Sequence, residues 1–151
     1  MKFAIALAAA LLGAPAFAAV ELKTDVFVET MVPAKDGKLV RKLEPAKVVT
    51  PGASLIYVNS YVNATPKAVA DFTINNPLPG GVEFVSDESG GADVSVDGGN
   101  AFGRLGTLSV VNPDGTKRPA RSSDVTHVRW KLASAIPAGK GGEVSFKARV
   151  K

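Results

Sequence analysis

The chain has no cysteine. That one absence excludes a disulfide framework, thiolate metal sites and a cysteine nucleophile. Histidine and tryptophan each occur once, and aromatic residues make up 7% of the 151 positions. A lone imidazole without thiolate partners cannot build a structural zinc site. After Ala19 no segment repeats its apolar residues with the 3.6-residue period of an amphipathic helix. Nor is there an apolar run of the roughly 20 residues that a membrane-spanning helix needs. An excess of one charge is lacking too: the formal net charge is +4. That is too small and too dispersed to argue for nucleic-acid binding.

What is present is valine, alanine and turn chemistry. Hydrophobic residues are 46% and charged residues 21% of the chain, with 15 Gly and 10 Pro. This balance fits one folded domain, all-β, with many turns. The first 18 residues read differently. Lys2 precedes an apolar run of about ten residues, and Ala16-Phe17-Ala18 offers small side chains to a signal peptidase. The expectation is a signal peptide over 1–18 cleaved after Ala18, with export to the periplasm or cell surface of a Gram-negative bacterium. Without Lys2, 17 basic residues face 14 acidic ones, a net of +3.

Beyond the leader, side chains alternate every second residue, the signature of a strand with one core face and one wet face. Val20 to Thr30 is the first such run, with Val26 and Val28 opposite Phe27 and Glu29. It forms an N-terminal strand and turn over 19–38, ahead of a main domain at 39–151. Lys38 to Lys42 reads as a short return strand, and Glu44 to Gly52, with Pro45 and Pro51, as an edge segment. In 54–63, Leu55, Tyr57, Asn59, Tyr61 and Asn63 share one face. A second run, 68–75, follows a short polar connection, and Pro77, Pro79, Gly80 and Gly81 reverse the chain into Val82–Val85. Together these predict a β-meander. Short strands are also predicted at 92–96, 105–111, 125–132 and 144–150, with long turns at 112–115 and 136–142. The total is seven to nine antiparallel strands, expected as two packed sheets.

Four features carry a family resemblance. They are Thr50-Pro51-Gly52 before Leu55-Ile56-Tyr57; Asn63 at the end of that strand; Asn76-Pro77-Leu78-Pro79-Gly80-Gly81; and Val128 to Leu132 followed by Ile136-Pro137-Ala138-Gly139 and Gly142 to Phe146. From about Leu39 to Val150 the chain resembles the bacterial conserved-repeat β-sandwich called domain of unknown function eleven. Asn76-Pro77 stands where that family usually carries an acidic residue, and one copy stands where it usually has tandem copies. The resemblance implies an immunoglobulin-like fold and a structural or adhesive setting, and it supplies no catalytic residues.

Candidate sites are few. Ser122, Ser123, Asp124 and His127 include the letters of a hydrolase triad, but they crowd six positions, whereas a triad gathers its members from separate elements. His127 is expected on the solvent face. Glu83, Asp87, Glu88, Asp93 and Asp97 lie in a glycine-rich stretch that could offer oxygens to calcium, without an EF-hand spacing. Lys117, Arg118 and Arg121 form a small basic loop suited to an anionic polymer. Tyr57 and Tyr61 share a face, as in sugar-binding sheets and as in ordinary cores. Asn63-Ala64-Thr65 spells a glycosylation sequon that a turn explains equally well. The sequence therefore predicts an exported, monomeric, non-enzymatic structural or interaction module without cofactor or metal. Its expected partner is a protein or an envelope polymer, and the alternative is a carbohydrate- or surface-polymer-binding module.

Overall fold

A computed structural model describes residues 19–151. The signal peptide 1–18 and its cleavage at Ala18 lie outside the described residues. Ten strands follow in order: β1 Val20–Pro33, β2 Leu39–Pro45, β3 Ser54–Asn63, β4 Thr73–Pro77, β5 Val82–Asp87, β6 Asp93–Ser95, β7 Ser109–Val111, β8 Lys117–Pro119, β9 His127–Lys131 and β10 Gly141–Val150. Two single-turn 3-10 segments, Leu105–Thr107 and Ser122–Asp124, are the only helical pieces among the described residues, and none is long and apolar enough to cross a membrane. The fold is all-β and every pairing is antiparallel.

Five strands form one sheet in the order β2-β1-β3-β10-β5, three form a second in the order β4-β9-β6, and β7-β8 is a separate hairpin. Leu55, Tyr57, Val82, Phe84, Val144, Phe146 and Ala148 from the larger sheet join Ile74, Val94, Val128 and Trp130 from the smaller one in a single buried cluster. Phe146 is its centre: its ring stacks on Tyr57 at 4.7 Å and lies 6.0 Å from Trp130 and 6.2 Å from Phe84. β9 alternates with Val128 and Trp130 inward, whereas β3 sends Leu55 and Tyr57 into the core and also buries Ile56 on its opposite face. The N-terminal strand β1 is hydrogen-bonded within this chain, between β2 and β3, and Val26 and Val28 reach the core.

Several expectations are corrected. The central stretch is not a meander, because β4 leaves the sheet of β3 for the smaller sheet and β5 returns to the larger one. The run 68–75 becomes a strand only from Thr73, because Asp71 adopts a left-handed φ of 53° that no ladder accommodates. Before it, only the Val69–Ile136 bridge remains. Asn76 and Pro77, expected in a turn, finish β4. The described residues hold ten strands, not seven to nine, because the basic loop contributes β8. The strand expected at 105–111 is shortened to β7, since residues 105–107 coil as a 3-10 turn. The edge segment lies earlier than expected: β2 itself is the sheet edge, and Pro45 ends it.

Candidate interaction surface

β2 flanks the larger sheet, and all seven of its residues are exposed. Leu39 is 62% exposed, Val40 44% and Leu43 42%, and Met31 on the adjoining strand is 56% exposed. The register explains why: β3 begins opposite Glu29, so the β1–β2 hairpin from Thr30 onward projects past the sheet. The hydrogen bonds from Ala46 to the Val26 carbonyl and from Ala34 to the Lys38 carbonyl fix the phase of the ladder. Even-numbered residues of β2 direct their backbone groups to β1. The N–H groups of Leu39, Arg41 and Leu43 therefore point away from the sheet, and Pro45 has none to offer. An edge of this kind is a template for another strand.

On the same sheet face Glu29 is nearly enclosed. Arg41 Nε lies 2.7 Å from it, Lys147 Nζ forms a second ion pair, and Ser54 Oγ donates a hydrogen bond at 2.8 Å. Those partners, the Lys147 hydrogen bond first, outweigh burial and hold the Glu29 carboxyl below its usual range. Arg41 also reaches Glu88 at 3.2 Å. The cluster ties β1, β2 and β10 together.

The basic loop is rearranged relative to expectation. Arg118 makes a bidentate pair with Asp124, both contacts at 2.7 Å, and Arg121 donates its backbone N–H to the same carboxylate. Lys117 and Arg121 remain exposed while Arg118 is turned inward, so the three cations are not one patch. The guanidinium of Arg118 pulls the Asp124 carboxyl down to about 2 from 3.8. A carboxyl depressed in the fold stabilises it when ionised, so this contribution is complete above about pH 5 and is lost as pH falls through 4 towards 2. Asp124→Asn is expected to lower stability at neutral pH by about 1 kcal/mol and to flatten the acid limb between pH 4 and 2, read by urea titrations across pH. Glu29 keeps part of that limb.

The hydrolase letters are spent otherwise. Asp124 serves Arg118, and His127 hydrogen-bonds its neighbour Thr126 through Nδ1 at 3.1 Å. His127 is not on the open solvent face, because Phe102 and the Gly99 turn cover it. The Arg129 guanidinium lies over the Phe102 ring, 3.8 Å from its centroid.

The acidic stretch is knitted by its own hydrogen bonds. Asp87 accepts from Ser89 N, Ala92 N and the Trp130 indole, and Asp97 from Ser95 Oγ, Asn100 N and Ala101 N. Among the described residues no three His, Asp or Glu side chains gather as a metal site would require. Tyr57 belongs to the core, while Tyr61 lines an open groove of about 270 Å³ with Leu132, Ile136 and Lys140. Asn63 is fully buried. Its amide donates to the Lys67 and Ile136 carbonyls and its Oδ1 accepts from Thr65, so the sequon is a structural turn.

Sequence reasoning missed β2 as the exposed edge. The signal was there in the Asp36-Gly37 turn followed by Leu39, Val40 and Leu43 ahead of Pro45. No protein-family model matches the chain, and no curated protein or solved structure matches it either.

Proposed function

We propose that this chain is an exported, non-enzymatic structural or interaction module of the bacterial envelope or extracellular surface, folded as an immunoglobulin-like β-sandwich, and that it works by strand addition at β2. The observation that carries the reading is the edge itself: seven exposed residues, three outward N–H groups, and exposed Leu39 and Leu43 on one face with Val40 on the other. Two sheets sharing one core support the sandwich. The Lys2-to-Ala18 leader supports export, and the resemblance to domain of unknown function eleven supports a surface setting.

A photo-crosslinking residue placed at Val40 in a Gram-negative host tests this reading. Adducts are expected from the envelope fraction, with few from the same probe at Val111 on the β7–β8 hairpin. A cytoplasmic location, or equal labelling at both positions, would overturn it.

A further inference from the structure

The β2 edge carries information about what lies along it. We infer that β2 pairs antiparallel with β2 of a second copy of this chain, with Arg41 opposite Arg41. The inference rests on the reading of β2 as the interaction edge and goes beyond it by naming the occupant and the register.

Backbone chemistry narrows the register and cross-strand charge completes the choice. An axis through Lys42 would set Lys42 against itself, and one through Val40 would set Lys42 against Lys38 and Leu43 against Gly37. Only odd-numbered residues of β2 face outward, so they must form the hydrogen-bonded pairs of any added strand. Centred on Arg41, the pairs are Leu39 with Leu43, Arg41 with itself and Leu43 with Leu39. All three outward N–H groups of each copy then meet a carbonyl. Centring on Leu43 sets Arg41 against Pro45, which has no N–H to return. Centring on Leu39 drives Arg41 and Leu43 against Gly37 and Lys35 of the hairpin turn, where Gly37 has a φ of 78° and cannot continue a strand.

The side chains agree with that choice. On one face Leu39 meets Leu43 of the second copy beside exposed Met31, twice by symmetry. On the other face Lys38 falls opposite Glu44, an opposite-charge cross-strand pair, and Val40 lies opposite Lys42. Charges on edge strands usually serve to keep other strands away. Here each cation has a carboxylate of its own: Lys38 has Asp36 at 3.6 Å, Lys42 has Glu44 at 2.9 Å, and Arg41 has Glu29 and Glu88. The two Arg41 side chains therefore meet already neutralised.

A seam of seven residues a side buries less than the roughly 1,200 Å² of a standard stable interface. The chain is accordingly monomeric when dilute and pairs at high concentration.

Two measurements test this. Sedimentation equilibrium is expected to show a monomer–dimer equilibrium. Leu43→Pro, which removes an outward N–H from each copy and leaves the β1 ladder intact, should weaken it at least about tenfold, the equivalent of two hydrogen bonds at about 0.7 kcal/mol each. Because the native chain has no cysteine, the register can be read separately. Val40→Cys and Lys42→Cys proteins, mixed and oxidised, should give the 40–42 disulfide in preference to 40–40 or 42–42, since directly opposed non-hydrogen-bonded residues sit about 4.5 Å apart at Cα. A monomer at every concentration, a dimer indifferent to Leu43→Pro in a folded variant, or a different preferred disulfide would each overturn the self-pairing. Should self-pairing fail while envelope adducts still form at Val40, the interaction edge stands and its occupant is another protein.

Discussion

Phe146→Ala is expected to lower the unfolding free energy by about 4 kcal/mol, the range for deleting a fully buried phenylalanine. The ring is wholly enclosed and touches both sheets through Tyr57, Phe84 and Trp130. Its loss removes the transfer energy of the ring and leaves a void that the two sheets cannot both close. Phe146→Leu should cost less than half as much, because it refills most of the space. Denaturant titrations followed by Trp130 fluorescence read both values, and the near-native stability of Phe146→Ala would mean that the two sheets are not held through this ring.

Gly141→Ala is the second large effect, and composition alone would not suggest it. Gly141 opens β10 opposite Val62, and a Cβ there would collide with the Tyr61 carbonyl oxygen, with Tyr61 C at 3.0 Å and Val62 Cα at 3.1 Å behind it. All three atoms are backbone, so no rotamer change relieves the clash. A cost of about 3 kcal/mol is expected. Gly142→Ala meets the Tyr61 ring instead, at 2.9 Å from Cζ, and a side chain can swing away. Its cost should be clearly smaller, and Tyr61→Ala should rescue Gly142→Ala but not Gly141→Ala. Equal destabilisation by both glycine variants would contradict the geometry.

The sequence made some of this readable and hid the rest, for reasons that can be named. Strands β3, β9 and β10 announce themselves because a half-buried strand must alternate, and Val128, Trp130, Val144 and Phe146 do. The partition of strands between sheets was not readable. Whether Thr73–Pro77 pairs with β3 or with β9 depends on partners fifty or more residues away, and local pattern says nothing of them. Buried asparagines were hidden in a second way. Asn59 and Asn76 look like surface residues, yet Asn76 Nδ2 donates to Asn59 Oδ1 at 2.8 Å and Thr24 Oγ1 donates to the same atom at 2.6 Å. The acceptor oxygen of Asn59 is met by both, while its buried Nδ2 has no partner among the described residues, and only the fold reveals either fact. For the interaction surface, the exposed Leu and Val of β2 were legible as residues. Their exposure was not, because it follows from where β3 starts relative to β1.

β3 lies between β1, which precedes it, and β10, the last strand described. Val58 must meet Asp25 on one side and Ser145 on the other. During synthesis the first half of that arrangement can zip up early. The second half waits for some eighty more residues. Throughout that wait, a valine-rich ribbon is left with open hydrogen-bonding groups on its flank. Closure entropy over so long a loop slows the final step, and such half-built ribbons are where sticking to other chains begins. A holdase that shields nascent β-rich chains would therefore have its greatest effect before β10 emerges.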